Sequence, residues 1–217
     1  AGDDVLSIAI DEQTEDMQKM VGLDGEERTL TPWTQSFKRR LPWLFVNLLT
    51  ACLAGAVVGV FQGTIKEFVV LAVFLPIIAS QGGNAGMQTV TVIIRDMALG
   101  ELSPGDGRKA LFKELLLGLL IGTIIGLIVG LVSYLIAPKF GITAEMGAIL
   151  GLVVGAAMVL NLLAAALFGV LIPFALKFFR LDPALGSSIL ITTVTDVAGF
   201  FFLLALAKWI LTGSPQA

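Results

Sequence analysis

The chain has 217 residues, 56% of them hydrophobic and 14% charged, with a formal net charge of −3 and no histidine. Soluble domains carry about 25% charged residues, so this composition, with a mean hydropathy of +0.92, argues against a soluble enzyme or a nucleic-acid-binding domain. Without imidazole, His-based metal sites, His proton relays and Ser-His or Cys-His catalysis are excluded as well.

The N-terminal stretch stands apart from the rest. Asp3, Asp4, Asp11, Glu12, Glu15, Asp16, Asp24, Glu26 and Glu27 are nine of the chain's 17 acids. Residues 5–10 read as a short strand and 12–20 as a helix, too little to bury a core. Residues 1–27 are therefore expected to be the remnant of a larger cytoplasmic domain. Thr31-Pro32 reads as a helix start, with Thr31 as N-cap and Pro32 in the first turn. Residues 28–41 form an amphipathic segment ending in Lys38-Arg39-Arg40. It is expected to lie on the lipid surface, as an anchor or as a connecting helix.

Residues 42–217 read as a membrane domain of five helices. The spans cover about 43–62, 68–94, 110–137, 146–179 and 184–211, each long enough for about 30 Å of hydrocarbon. Lys38, Arg39, Arg40, Arg95, Arg108, Lys109, Lys113, Lys177 and Arg180 would share one side, and Lys66, Lys139 and Lys208 the other. The positive-inside rule puts the N-terminus in the cytoplasm and the C-terminus outside. Cys52 reads as a small buried residue of the first span.

Pro76 and the stretch Gln81-Gly82-Gly83-Asn84 interrupt the second span. Irregular backbone at membrane depth is tolerated only beside protein or a water-filled cavity, and amide and carbonyl oxygens suit hard cations. Gly83 and Asn84 are thus candidate pore-lining residues; helix-to-helix bonding of the amides is the structural alternative. Gly118, Gly122, Gly126 and Gly130 in the third span present a bare face for close packing. Glu114 and Glu145, near span ends, are expected to be solvated. Asn161 in the fourth span reads as a polar link between helices.

Asp196 is the outlier. A carboxylate at the centre of a span costs about 2.5–3.5 kcal/mol on insertion scales, and no lysine or arginine stands at its depth in any span. It either carries a proton or faces water and a cation. Thr192, Thr193 and Thr195 beside it either bond to the carbonyl one turn back or line the pore. Asp182 is expected to cap the start of the fifth span. One deep carboxylate per chain, with no thiolate or imidazole, favours Mg2+ held through its waters. It also suggests a pore on the two-fold axis of a homodimer.

With these residues in view, the sequence resembles the MgtE family of magnesium channels. The resemblance rests on Gly82-Gly83-Asn84-Ala85-Gly86-Met87-Gln88, Ile93-Ile94-Arg95, Phe112-Lys113-Glu114, Asp182-Pro183-Ala184-Leu185 and Thr195-Asp196-Val197-Ala198-Gly199. It implies a homodimer with a two-fold pore in which Asp196 binds hydrated Mg2+ and the segment around Asn84 lines the path. It also implies Mg2+-sensing cytoplasmic regulatory domains, including paired CBS domains, missing from this sequence. They would act through a connecting helix at about 31–40. Glu15 and Asp16 would lie at the end of the CBS region and bind regulatory Mg2+ together with Asp182. Ser188 stands where some relatives carry an asparagine near the pore entrance.

The competing function is a proton- or ion-coupled secondary transporter with Asp196 as proton carrier. An intramembrane aspartyl protease needs two facing carboxylates, which one chain does not supply. A non-transporting scaffold has no use for the cost of Asp196.

Overall fold

The computed structural model describes residues 15–23, 27–102 and 105–211. The strand expected at 5–10 lies outside the described residues; the helix expected at 12–20 is helical where it is described, over 15–20. Beyond it lie α1 (Trp33–Val60), the short α2 (Gln62–Glu67), α3 (Leu71–Ala98), α4 (Gly107–Ile136), a 3-10 turn (Ala137–Phe140), α5 (Ala144–Phe178) and α6 (Ser187–Leu211). Among the described residues there is no strand. Four segments among the described residues are long and apolar enough to cross a membrane: Trp33–Val60, Gly107–Phe140, Ala144–Phe178 and Ser187–Leu211. The 28-residue α3 is as long as α1, but its serine, glycines and amides at 80–88 dilute its apolar character.

The long helices alternate in direction. A Cβ on Gly82 would meet Asn161, and one on Gly169 would meet Thr89, so α3 and α5 run parallel. Gly118 faces Ala166 while Gly130 faces Gly151, so α4 runs against α5. Gly86 faces Ile191 and Gly82 faces Thr195, so α6 runs against α3. Trp43 packs on Gly186 and Phe61 on Phe201, so α1 runs with α6.

α5 is the central helix. Its buried residues, among them Leu150, Val153, Val154, Ala157, Met158 and Asn161, recur on every side that meets α3, α4 and α6. The contact with α4 is backbone on backbone. A Cβ on Gly130 would lie 2.6 Å from the Gly151 carbonyl oxygen, and one on Gly126 2.7 Å from that of Gly155. Lipid tails are as apolar as leucine, so helices associate here by van der Waals packing rather than by escape from water. The absence of side chains is what permits that approach. The expected packing role of the glycine ladder is borne out, and the ladder extends one turn further back than expected. Its first rung, four residues before Gly118, is Glu114, which is buried.

Several local expectations are corrected. The segment 28–41 is not a separate surface helix: α1 runs without a break from Trp33 to Val60, with Pro42 inside it. Neighbouring groups and local adjustment allow proline within membrane helices. Thr31 is not the N-cap. Pro32 holds that place, and the Thr31 hydroxyl accepts from the Arg28 amide at 3.0 Å. Cys52 is exposed, because α1 packs mainly on α6 and buries little besides Ala54. Glu114 is buried rather than solvated, whereas Glu145 is exposed as expected.

Gly130→Val is expected to force α4 off α5 and to destabilise the chain by about 1–3 kcal/mol, the usual cost of overpacking. Gly59→Ala is the control, since no atom lies within 4 Å of the added Cβ. Thermal melting of both variants in detergent checks the contrast; equal melting temperatures would contradict the backbone contact.

Candidate cation site

Two faces of α3 carry different jobs. Gly82 and Gly86 face inward and let α6 and Asn161 approach; a Cβ on Gly82 would lie 2.3 Å from Asn161 Nδ2. Asn161 Nδ2 donates to the Ile78 carbonyl at 2.8 Å. That bears out its expected role as a polar link, and Gly199 gives it room from the α6 side. Ser80 and Asn84, four residues apart, are exposed on the other face.

That outer face meets α6 at Asp196. A cavity of about 220 Å³ is lined by Ala79, Ser80, Gly83, Asn84, Met87, Thr192 and Asp196. Asp196 is half-buried, no basic side chain lines the cavity, and no donor or cation bonds its carboxylate among the described residues. The cavity gathers a carboxylate, an amide and two hydroxyls, all hard oxygen donors of the type that Mg2+ and Ca2+ accept. α6 extends this surface along one stripe, since Ser188, Thr192 and Asp196 are each four residues apart. Ser188 and Thr192 line a second cavity of about 480 Å³ with Arg40, Trp43, Asn47 and residues 21–23. Gly83, Asn84, Thr192 and Asp196 thus share one cavity, and Ser188 lies in the second, with Thr192 lining both.

The other two threonines are placed differently. Thr195 is fully buried against α3, its hydroxyl donating to the Ile191 carbonyl at 3.0 Å. Thr193 donates to the Ile189 carbonyl. Neither lines the Asp196 cavity. Thr192 likewise donates to Ser188 O at 2.8 Å, but its oxygen keeps acceptor capacity toward the cavity. Sequence reasoning passed over Ser80 and Asn47. The four-residue offset from Ser80 to Asn84 and the isolation of Asn47 in an apolar run were the available signals.

Glu15, Asp16 and Asp182 do come together, lining a cavity of about 520 Å³ with Lys19 and Arg95. Lys19 Nζ lies 2.9 Å from both Glu15 Oε1 and Asp182 Oδ2, so an ammonium fills the space between the two carboxylates. Among the described residues no group of three or more His, Cys, Asp or Glu side chains could hold a metal ion. Asp182 does not cap α6, which begins at Ser187; its Oδ1 accepts from the Ala184 amide at 2.9 Å and so closes the preceding turn. The Gly186 amide donates to the Lys19 carbonyl at 2.9 Å. Trp43 packs against Gly22 and Gly186, both at positive φ, where a side chain would meet its ring. Residues 15–23 are thereby fastened to the start of α6, the helix that carries Asp196.

Burial alone would raise the Asp182 pKa, but the Lys19 ammonium and the Ala184 amide outweigh it and hold the carboxyl below its ordinary 3.8. The Glu15 and Asp182 carboxylates in turn push the Lys19 ammonium upward. A depressed carboxyl stabilises the fold above its unfolded pKa and loses that contribution as pH falls through the folded value. Protection of residues 15–23 against hydrogen exchange, taken relative to the intrinsic rate at each pH, is therefore expected to fall below about pH 3.8, and Lys19→Met is expected to lower it at neutral pH. An unchanged exchange rate in Lys19→Met would show that the clamp does not hold the segment.

The profile of the family described as MgtE, divalent cation transporter, matches residues 75–206. Three curated relatives bear the name magnesium transporter MgtE. That of Thermus thermophilus is 33% identical over 215 residues, covering 96% of this chain and 45% of its own length. That of Bacillus subtilis is 30% identical over 206 residues, covering 94% and 44%. That of Enterococcus faecalis is 29% identical over 206 residues, covering 95% and 44%. The chain thus spans less than half the length of the curated relatives it matches.

Proposed function

The chain belongs to the MgtE family of divalent cation transporters, and we propose that it carries Mg2+ across the membrane through a pore built from α3 and α6. The observation that carries this reading is the Asp196 carboxylate, unpaired among the described residues and open to a cavity of oxygen donors. Mg2+ gives up its waters reluctantly and is commonly held by one or two carboxylates acting on a largely hydrated ion. Asp196 supplies the charge, and Asn84, Ser80 and Thr192 supply further acceptors for the ion's waters.

The pore lies on the two-fold axis of a homodimer. Ser80 and Asn84 are exposed in one chain at a depth where lipid offers no hydrogen bonds. A second copy facing them would close a polar channel and bring two Asp196 side chains to one hydrated ion. α3 completes a set of five spans, which the alternating directions of the long helices support. The cytoplasmic N-terminus and external C-terminus follow from the basic residues, and the connecting role of residues 28–41 from their continuity with α1. Regulatory Mg2+ at Glu15, Asp16 and Asp182 requires the Lys19 ammonium to move out.

One observation favours the second reading, a proton-coupled carrier. Glu114 is a second acid buried within a membrane helix, the kind of group a proton route uses.

In proteoliposomes, Asp196→Asn is expected to lower Mg2+ uptake at least about tenfold, equivalent to about 1.4 kcal/mol. Wild-type uptake is expected to proceed without a proton gradient. Uptake that requires the gradient would favour the carrier, and uptake untouched by Asp196→Asn would remove the proposed ion site. In a Cys52→Ala background, Thr192→Cys is expected to form disulfide-linked dimers on oxidation; monomers alone would count against the two-fold pore.

A further inference from the structure

The glycine segment of α3 is a smooth surface. Gly82, Gly83 and Gly86 offer no side chains of their own; Asn161 of α5 and Ile191 of α6 seat instead against Gly82 and Gly86, where a Cβ would meet them at 2.3 and 2.4 Å. Two hydrogen bonds bracket it. Before it, Asn161 reaches the Ile78 carbonyl. After it, the Thr89 hydroxyl donates to Glu114 Oε2 on α4 at 2.8 Å.

The second bond is built rather than incidental. Thr89 and Glu114 are both buried, 6% and 7% exposed. Gly169 of α5 leaves a notch for Thr89, since a Cβ there would lie 2.8 Å from the Thr89 Cβ and Cγ2. The other carboxylate oxygen of Glu114 is 3.2 Å from Lys113 Nζ, whose side chain reaches outward. The two residues line a cavity of about 210 Å³ with Gln88, floored by Leu162 and Ala166 of α5. At about 100° per residue, Thr89 lies roughly 140° around α3 from Asn84 and roughly opposite Ser80. A bond at the back of the helix, added to the packing of Ile78, Val90 and Ile94, thus bears on what its front presents.

We propose that Glu114 is a positioning residue for ion binding: by accepting the Thr89 hydroxyl it fixes the rotation of α3 that turns Ser80 and Asn84 toward the Asp196 cavity. The proposal rests on the pore reading of that cavity. Glu114 itself does not touch the transported ion. Glutamine keeps an acceptor oxygen for Thr89 and preserves the function; alanine does not. Serine at 89 keeps the donor; valine does not.

The test combines flux with an independent reading of rotation. The half-saturating Mg2+ concentration for uptake into proteoliposomes is measured for wild type, Asp196→Asn, Thr89→Val, Thr89→Ser, Glu114→Ala, Glu114→Gln and the Thr89→Val/Glu114→Ala double variant. Thr89→Val and Glu114→Ala are each expected to raise it about tenfold, with the double variant no worse than either. Thr89→Ser and Glu114→Gln are expected to stay within about twofold of wild type. In a Cys52→Ala background, labelling of Asn84→Cys by a membrane-impermeant thiol reagent is expected to slow about tenfold when Thr89→Val is added. If Glu114→Ala does not fold, the Thr89→Val and Thr89→Ser pair carries the same test. Additive effects, or labelling indifferent to Thr89→Val, would overturn the proposal. So would a Glu114→Gln defect as deep as that of Glu114→Ala, because the charge itself would then be at work. Failure of the underlying pore reading is distinguishable: it appears as Asp196→Asn uptake equal to wild type, or as no labelling of Asn84→Cys in the otherwise unaltered chain.

Discussion

Backbone contact between α4 and α5 is what the rest of the bundle hangs on. In hydrocarbon there is no water to expel, so helices hold together only as well as their surfaces fit. The rungs Gly118, Gly122, Gly126 and Gly130 bring α4 down onto the α5 backbone. α5 in turn is the helix against which α3 and α6 pack. Large side chains on α4 point away from this contact and are exposed, Leu127 and Leu135 among them. They suit lipid, and the small ones suit protein.

The same medium sorts the polar groups into two kinds. Asn161, Thr89, Thr195 and Glu114 are buried, and each makes a hydrogen bond to a helix carbonyl or to another side chain. Asn161 ties α5 to α3 and Thr89 ties α3 to α4, while the Thr195 bond stays within α6. Asp196, Asn84 and Ser80 converge instead on a cavity. A membrane helix does not carry such groups cheaply, and the proposed ion path would account for their convergence. The division also separates two acids that look alike on paper: Glu114 has partners, and the carboxylate of Asp196 has none among the described residues.

The junction outside the membrane ties a third element to the site. Lys19 grips Glu15 and Asp182, and Trp43 fills the space between two left-handed glycines, Gly22 and Gly186. α6 begins one residue after Gly186 and carries Ser188, Thr192 and Asp196 at successive turns. Displacement of residues 15–23 would thus act on the start of the helix that carries Asp196. Arg40, which lines the cavity with Ser188 and Thr192, pairs with Glu27.

The sequence by itself determined the membrane setting, the approximate limits of the long helices, the packing role of the glycine ladder and the singularity of Asp196. Each follows from composition or spacing along one chain: a run of apolar residues is long enough or it is not, and a carboxylate among them has no local partner. Tertiary structure alone decided which side of each helix faces protein. Lipid and core are both apolar, so the contrast that reveals a buried face in a soluble helix is missing here. That is why Cys52 reads as inside and lies outside, and why Thr195 groups with Thr192 although it is buried; Glu114 reads as solvated for another reason, its place near a span end. The four-residue spacing of the glycines, carried one turn back, did point to Glu114. Only the position of Thr89 on a neighbouring helix showed what that carboxylate meets.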